Sequence, residues 1–355
     1  MNRIEKLRNR LPYGWTGAIV STGTNREYLT QFLSSAGTLL VFPETAYFII
    51  DSRYYEAAKR NVVGAEVVLQ GKLYQQIREI CKTQNANELL CEEELTIAEF
   101  NSLTKAVQEV RFNADGVLSS LIQQERAIKE PGEVKMICDA QAITDAAFLE
   151  ILNFIRPGVS EKEVAAELEY NMRKKGADGL AFETIVASGT NGSMPHAVPS
   201  DKLIQSGELV TMDYGAKLNG YCSDMTRTVA VGEISEEQHR IYDVVLDAHL
   251  TSMAAAKAGV YGDELDKIAR DIIYNAGYEG CFGHSLGHSL GLDIHEKPMA
   301  TFSRHDLLPA GTIITIEPGI YVEGKYGVRI ENMIFITEKG YINLTGSERK
   351  LISLK

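Results

Sequence analysis

Apolar residues in the first third of the chain occur in short runs and at helical spacing. The run GAIVST (17–22) predicts a buried strand, and GTLLVFPETAYFIID (37–51) predicts two strands joined by a turn. RYYEAAKRNV (53–62) and LTIAEFNSLTKAV (95–107) carry apolar residues at helical spacing and predict helices. No dense group of polar residues interrupts these elements. We therefore predict a small α/β domain over residues 1–125, which shapes or covers a site rather than holding one.

The rest of the chain contains an internal repeat. After the charged stretch RAIKEPGEV a long helical pattern begins, and we place a second domain at residues 126–355. PGVSEKEVAAELEYNMRKKGADG (157–179) aligns without a gap with AGVYGDELDKIARDIIYNAGYEG (258–280), and SGELVTMDYG (206–215) aligns with AGTIITIEPG (310–319). Two such blocks in the same order predict an α+β domain with a pseudo-twofold repeat, whose sheets pair around a central crevice.

Four carboxylates fall at the ends of strands or within strands of these two halves. Asp213 and Glu317 occupy equivalent positions, each closing an apolar strand. Asp224 in GYCSDMTRTVAV and Glu331 in YGVRIENMIFI lie in the neighbouring strands, Glu331 on the same face as Arg329. A buried carboxylate is costly without a partner, and two on adjacent strands repel each other unless a cation lies between them. With a nearby imidazole, the four acids predict a site for two divalent metal ions.

The donor set indicates which ions and which reaction suit such a site. Hard oxygen ligands with one histidine favour Mn²⁺, with Co²⁺, Fe²⁺ or Zn²⁺ as alternatives, over metals that select thiolates. A pair of such ions activates water and polarises a carbonyl group, so the implied reaction is hydrolysis. The alternative is that the acids form salt bridges with Arg227 and Arg329, but two arginines cannot neutralise four acids.

Three of the seven histidines lie within one short stretch, GHSLGHSLGLDIHEKP (283–298). On a helix, His284 and His288 would form a chelating pair, but the glycine before each of them favours a loop. His295 follows seven residues later, and His196 lies in the turn-rich stretch GTNGSMPHAVPSDKL. From the residues alone, each histidine could bind a metal, transfer protons or contribute to packing.

Together these motifs resemble the metallopeptidases of pita-bread fold, which include prolidase (Xaa-Pro dipeptidase), Xaa-Pro aminopeptidase and methionine aminopeptidase. The resemblance covers residues 126–355 and rests on MDYGAKLNGYCSD, HSLGHSLGLDIHE, IEPGIY and GVRIEN. The metal ligands that it implies are, in chain order, Asp213, Asp224, His288, Glu317 and Glu331. Creatinase shares the architecture without these ligands, which disfavours it here.

The N-terminal region also resembles a known domain. NREYLTQF (25–32) and DSRY (51–54) are similar to stretches of the creatinase/prolidase N-terminal domain, although Gln31 replaces a usual glycine. Methionine aminopeptidases usually lack such a domain, so its presence argues against that activity. The resemblance favours the two proline-specific enzymes.

The resemblance also implies roles for residues beside the metal ligands. His196 and His295 would donate hydrogen bonds to the reacting carbonyl oxygen without binding metal. Glu317 would both ligate metal and carry a proton from water to the leaving amine. The residues that would line the pocket or support the ligands are His284, Tyr321 and Arg329.

We therefore expect a Mn²⁺-dependent exopeptidase acting on small peptides with proline at the second position. Compact length and short loops favour a Xaa-Pro dipeptidase over a Xaa-Pro aminopeptidase that acts on longer peptides. A non-catalytic peptide-binding protein of pita-bread fold is a third hypothesis, which the intact ligand set disfavours. The resemblance also implies a homodimer.

Composition and charge exclude several other classes of protein. The 355 residues carry a net charge of −12 without basic runs, which argues against nucleic acids and anionic membranes as partners. No apolar stretch is long enough for a membrane span, and the N-terminus lacks the apolar segment of a secretory signal, so we expect a cytoplasmic protein. The five cysteines form no C-x-x-C pair, which predicts reduced thiols rather than disulfides or a zinc ribbon.

Overall fold

The computed structural model describes all residues from Met1 to Lys355, and they divide into two compact units. The first unit spans Met1–Arg126 and the second spans Ala127–Lys355. None of the helices combines the length and the apolar character needed to cross a membrane.

The first unit is a mixed sheet with helices. Its helices are α1 (Arg3–Arg10), α2 (Gly23–Thr30), α3 (Tyr55–Asn61), α4 (Leu73–Thr83), α5 (Ile97–Ala106) and α6 (Val117–Ala127). Its strands are β1 (Ala18–Val20), β2 (Thr38–Val41), β3 (Ala46–Ile50), β4 (Glu66–Leu69), β5 (Glu88–Cys91) and β6 (Arg111–Asn113). The sheet order is β4-β3-β2-β1-β5-β6, and β2 and β3 form the hairpin predicted from the sequence. The predicted helices correspond to α3 and α5.

The second unit contains the predicted repeat. Its helices are α7 (Pro131–Ile151), α8 (Glu161–Lys174), α9 (Glu236–Ala255) and α10 (Gly262–Asn275), with a 3₁₀ helix at Gly189–Ser193. Its strands in the first half are β7 (Gly179–Leu180), β8 (Ile185–Ser188), β9 (Glu208–Tyr214), β10 (Ala216–Leu218), β11 (Tyr221–Cys222) and β12 (Met225–Val231). Those in the second half are β13 (Gly287–Ser289), β14 (Glu296–Ala300), β15 (Ile313–Ile316), β16 (Gly319–Val322), β17 (Tyr326–Arg329), β18 (Asn332–Thr337), β19 (Gly340–Asn343) and β20 (Ser353–Leu354).

The two halves of this unit match in helix length and strand pairing. α8 and α10 each have 14 residues and begin at aligned positions of the repeat. β9 pairs antiparallel with β12 in one sheet, as β15 does with β18 in another. Apolar residues of α7, α8, β9 and β12 form one buried cluster, and those of α9, α10, β15 and β18 contribute to a second. The fold is therefore the predicted α+β repeat, preceded by a smaller α/β unit.

One predicted strand, YGVRIENMIFI, is broken in the structure. Its first half, β17, pairs with β16, and its second half, β18, pairs with β15. Between them the backbone N–H of Glu331 donates to the carbonyl oxygen of Thr226, at the start of β12, at 3.1 Å. The chain thus leaves one sheet, contacts the β9–β12 pair and enters another sheet. This crossing brings Glu331 to the start of β12.

Candidate metal centre and substrate cavity

Carboxylates from both halves of the repeat meet around one histidine. Asp224, His288 and Glu331 are all buried, and each offers a ligand atom within 4.8 Å of those of the other two. The Nε2 atom of His288 lies 3.5 Å from Oδ2 of Asp224 and 3.5 Å from Oε1 of Glu317. Asp213 lines the same cavity as these four residues.

The elements of the repeat bring these side chains to one place. Asp213 is the penultimate residue of β9 and pairs in register with Thr226 of β12, two residues after Asp224. Glu317 directly follows β15, the equivalent strand of the second half. His288 is the central residue of β13, which pairs with β15. Pairing of adjacent strands therefore aligns residues that are far apart in the chain.

Two carboxylate oxygens of this group have no hydrogen-bond donor. Oδ1 of Asp213 and Oε1 of Glu331 are buried and unpartnered. Their companion oxygens each accept one hydrogen bond, from Nη2 of Arg329 at 2.6 Å and from Oγ1 of Thr226 at 2.7 Å. Leaving a buried acceptor unsatisfied costs about 1–3 kcal/mol, and more for a charged group. A cation between these oxygens would remove that cost, so the site fits a divalent metal ion.

The histidine is oriented as a ligand would be. Nδ1 of His288 lies 3.2 Å from the carbonyl oxygen of Ser289, which places the ring proton on Nδ1. The lone pair of Nε2 is then directed towards the carboxylates. Burial lowers the pKa of His288 to about 3, with the charge of His295 acting in the same direction. A neutral imidazole held by a backbone carbonyl is the usual state of a metal-binding histidine.

The acids oppose one another electrostatically in the absence of a cation. Burial raises the pKa of Asp224 well above its usual range, and the charges of Glu331, Asp213 and Glu317 add to this effect. The pKa of Glu317 is raised in the same way, first by burial and then by Glu331. For Glu331, burial followed by the charge of Asp213 raises the pKa to about 8. Divalent cations would supply the compensating charge that these groups lack.

Salt bridges with the two candidate arginines account for only one of the four acids. Arg329 donates to Asp213, as described above. Arg227 is fully buried and donates instead to neutral oxygens, which are the carbonyls of Thr226, Glu331, Ser347 and Glu348 and the side-chain oxygen of Asn332. The salt-bridge alternative therefore leaves three carboxylates without a cation.

A chain of hydrogen bonds extends from Asp213 to His284. Nη1 of Arg329 donates to the hydroxyl of Tyr321 at 2.7 Å, and that hydroxyl lies 2.8 Å from Nε2 of His284. Nδ1 of His284 lies 2.8 Å from the carbonyl oxygen of Ser285. Burial, with the charge of Arg329, lowers the pKa of His284 to about 3, so the ring is neutral. Both of its nitrogens are occupied by the protein.

His196 and His295 differ from these histidines because their rings are exposed at the cavity. The ring of His295 packs edge-on against His288, with centroids 4.3 Å apart. The next residue, Glu296, forms a buried ion pair with Lys129 at 2.8 Å, which fixes the backbone beside His295. Partial burial lowers the pKa of His295, and the charge of His196 acts in the same direction.

The cavity has a volume of about 530 Å³ and is lined by nine of the ten predicted site residues. Tyr321 lies behind the lining and reaches it through Arg329. One wall that the sequence analysis missed is apolar: Phe182, Ile185, Ile294 and Met299. Phe182 and Ile185 lie in one segment, and Ile294 and Met299 lie within and directly after the histidine-rich stretch, but nothing in the sequence indicates that these two segments meet. The wall makes the cavity suitable for an apolar ring or side chain beside the carboxylates.

Comparison with known proteins gives consistent matches over the whole chain. Residues 135–338 match metallopeptidase family M24, and residues 3–128 match the creatinase/prolidase N-terminal domain. The chain is 40% identical over 316 residues to the Xaa-Pro dipeptidase of Pyrococcus furiosus, covering 89% of each chain. Among solved structures, it is similar to a Xaa-Pro dipeptidase from Bacillus anthracis, with 41% identity, a TM-score of 0.96 and 99% coverage of both chains. It is also similar to an X-Pro aminopeptidase from Thermotoga maritima, with 37% identity, a TM-score of 0.92 and coverage of 99% and 100%.

Proposed function

Because this chain belongs to metallopeptidase family M24, as its motifs predicted, we propose that it hydrolyses Xaa-Pro peptide bonds and acts mainly as a Xaa-Pro dipeptidase. The observation that carries the proposal is the buried cluster of Asp224, His288 and Glu331, which opens onto a cavity with an apolar wall and two exposed histidines. The similar proteins named Xaa-Pro dipeptidase support the substrate class.

We assign the metal centre to the five residues that surround the unpartnered oxygens. In chain order they are Asp213, Asp224, His288, Glu317 and Glu331. Two divalent ions fit this number of carboxylates, and the hard oxygen donors favour Mn²⁺ over Co²⁺, Fe²⁺ or Zn²⁺. When bound, such ions activate water and polarise the carbonyl group of the scissile bond.

The exposed histidines contact the reacting group and do not bind metal. His196 and His295 donate hydrogen bonds to the carbonyl oxygen as negative charge develops on it. Both rings border the cavity, and neither is occupied by a protein hydrogen bond. Removing a donor of this kind typically lowers kcat by about 100- to 1,000-fold.

Glu317 carries a proton from the attacking water to the leaving nitrogen of proline. Its side chain keeps 15% of its surface exposed, against 5% for Asp224, so it is the more accessible of these two carboxylates. The tertiary amide nitrogen of a Xaa-Pro bond leaves as a secondary amine only when it receives a proton. A carboxylate that both borders the cavity and approaches His288 can perform this transfer.

Arg329, Tyr321 and His284 form the support of the site. The ion pair between Arg329 and Asp213 orients one carboxylate, and Tyr321 links that arginine to His284. Since both nitrogens of His284 are used by the protein, this residue shapes the pocket instead of exchanging protons with substrate. The apolar wall then accommodates the pyrrolidine ring or the side chain that precedes it.

The substrate length is tested by comparing a dipeptide with a tripeptide. We expect the Mn²⁺-loaded protein to hydrolyse Ala-Pro with a higher kcat/KM than Ala-Pro-Ala, measured by the amount of free alanine released. Turnover of the tripeptide but not the dipeptide would contradict the dipeptidase assignment and support a Xaa-Pro aminopeptidase, the activity named for the similar T. maritima structure. Failure on both substrates with Mn²⁺, Co²⁺, Fe²⁺ and Zn²⁺ would contradict the peptidase activity itself.

The organisation of the protein adds three further proposals. We propose that residues 1–125 form the creatinase/prolidase-type domain and residues 126–355 the catalytic domain. We also propose a homodimer, following the resemblance, and a cytoplasmic location. Limited proteolysis tests the boundary, and sedimentation equilibrium tests the dimer.

A further inference from the structure

The position of His196 depends on the backbone of the segment that carries it. We call residues 189–200, which lie between the end of β8 and Asp201, the His196 loop. The ring of His196 is exposed and makes no hydrogen bond to the protein. The position of the ring beside the reacting group is therefore determined by the contacts that hold the backbone of the His196 loop.

A single buried carboxylate connects the two ends of the His196 loop. Glu161, the first residue of α8, is fully buried. Its Oε1 accepts hydrogen bonds from the backbone N–H of Ser188 at 2.7 Å and from the hydroxyl of Ser188 at 2.8 Å. Its Oε2 accepts from the backbone N–H of Ser200 at 3.1 Å and from the hydroxyl of Ser200 at 2.6 Å. The amide of Asn191, inside the loop, donates to both oxygens, at 3.1 and 3.0 Å.

The middle of the loop is held by contacts with β17. A Cβ atom on Gly327 would lie 2.0 Å from the carbonyl oxygen of Gly192, so the two backbones approach too closely for any larger residue. Nη1 of Arg329 donates to the carbonyl oxygen of Pro195 at 3.3 Å, directly before His196. The loop is thus fixed at its centre by the metal-site strand and at both ends by Glu161.

The internal repeat shows that a helix in this position does not require the carboxylate. In the ungapped alignment Glu161 corresponds to Gly262, the first residue of α10. Both helices have the same length, and in both the third residue, Glu163 or Glu264, completes a capping box. A helix of this length can therefore begin without a carboxylate at its first position. The carboxylate of Glu161 is present only in the half that carries the His196 loop.

We propose that Glu161 is a positioning residue for hydrolysis, which acts by holding the His196 loop so that the imidazole faces the reacting carbonyl. This inference rests on the role of His196 in the proposed function. Glu161 itself does not line the cavity, so it acts through the loop and not on substrate. A displacement of the imidazole by about 1 Å is sufficient to lower the rate by about 100-fold.

The substitution Glu161→Gln tests this role with almost no change in shape. The amide replaces one acceptor oxygen by an NH₂ group, which must face donors at Ser188 or Ser200. A hydroxyl can rotate to accept, but a backbone N–H cannot, so one end of the loop loses its backbone hydrogen bond to the side chain of residue 161. We expect kcat to fall about 10- to 100-fold, with the metal content unchanged. Glu163→Gln is the matched control, since Glu163 is exposed and bonds only to Ser160; it should keep the wild-type kcat.

A double-mutant cycle separates positioning from a general structural effect. If Glu161 acts through His196, Glu161→Gln should lower kcat less than twofold in a His196→Ala background. An equal loss in both backgrounds, or a wild-type kcat for Glu161→Gln, would overturn the proposal. If the Glu161→Gln variant does not fold, Ser200→Ala replaces it in the cycle, because it removes one of the hydrogen bonds to Glu161. Its effect on kcat should show the same dependence on His196. An equal loss of kcat in both backgrounds would again overturn the proposal. A wild-type rate for His196→Ala alone would instead refute the role assigned to His196 in the proposed function.

Discussion

His288 and His295 lie within one short stretch and their rings are in contact, yet their surroundings differ. His288 is buried, donates from Nδ1 to a carbonyl oxygen and directs Nε2 towards Asp224 and Glu317. His295 is exposed at the cavity. At the scale of single residues, burial and hydrogen bonding therefore distinguish the proposed metal ligand from the residue proposed to contact substrate.

Two substitutions test this distinction. His295→Ala should keep its metal and lose turnover, with kcat lower by about 100- to 1,000-fold, because only a donor to the reacting oxygen is removed. Asp224→Asn should lose metal, because a neutral amide replaces a carboxylate in the centre of the buried cluster. Metal analysis of the purified proteins, together with kcat on Ala-Pro, checks both. The division of roles would be wrong if His295→Ala also lost its metal. Substitution of the exposed His239 on α9 by alanine provides a control for the removal of a histidine.

Another buried histidine, His249 of α9, should make the protein sensitive to acid. Burial, with the charges of Arg227 and Arg349, lowers its pKa from 6.5 to about 3. As the pH falls below about 6.5 the unfolded chain binds a proton that the folded protein does not, so the free energy of unfolding decreases. The slope from this one group approaches about 1.4 kcal/mol per pH unit until the pH nears the folded pKa.

Urea unfolding of wild type and His249→Asn between pH 6 and pH 4 measures this contribution. The asparagine amide can still donate to the carbonyl oxygen of Ile316, which lies 3.0 Å from Nδ1 of the histidine. Over this range the free energy of unfolding should decrease less for the variant than for the wild type. The two slopes should differ by at most the value for one proton, about 1.4 kcal/mol per pH unit. Equal slopes for the two proteins would show that His249 is protonated equally in the folded and unfolded states.

At the scale of elements, strand pairing places the proposed ligands, and glycine permits the close approach of β13 to β15. A Cβ atom on Gly287, the residue before His288, would lie 1.9 Å from the carbonyl oxygen of Thr315. The backbone N–H of His288 also donates to the hydroxyl of Thr315 at 3.0 Å. Any side chain at position 287 would therefore displace β13 together with its histidine.

Gly287→Ala should destabilise the protein by about 1–3 kcal/mol or more, and lower its affinity for metal. Gly283→Ala is a matched control from the same stretch, because a Cβ atom there meets nothing within 4 Å. We expect the control to lie within about 0.5 kcal/mol of wild type. Urea unfolding and metal titration of the two variants test the comparison. Similar losses in both would mean that the loop around His284, and not the contact with Thr315, determines the effect.

Strands were predicted well from the sequence where the spacing of apolar residues alone defines them. The prediction failed where the chain passes from one sheet to another. In YGVRIENMIFI the alternation of apolar and polar residues stops at the consecutive polar residues Glu331 and Asn332, and an unbroken apolar run follows, but the prediction of one continuous strand did not use this change. The break depends on a backbone hydrogen bond to Thr226, which comes from a distant part of the chain. Contacts of this kind have no local signature.

For the whole molecule, the internal repeat predicted both the α+β architecture and the convergence of the acids. Two aligned halves with acids at equivalent positions require those acids to meet if the sheets pair around one crevice. The apolar wall of the cavity could not be predicted in this way. The same is true of the hydrogen bonds by which Glu161 connects the two ends of the His196 loop. An acid in the first turn of a helix is common, and only the folded chain shows that this one connects Ser188 with Ser200.

The proposed hydrolysis of Xaa-Pro bonds depends on the metal centre. The most direct measurement compares the release of alanine from Ala-Pro and from Ala-Ala by one preparation that is first treated with a chelator and then reconstituted with Mn²⁺. We predict that the chelated protein is inactive and that Mn²⁺ restores hydrolysis of Ala-Pro. Ala-Ala should be cleaved at least about tenfold more slowly than Ala-Pro, which corresponds to a difference of about 1.4 kcal/mol in transition-state binding. Hydrolysis that survives chelation, or equal cleavage of the two dipeptides, would contradict the account.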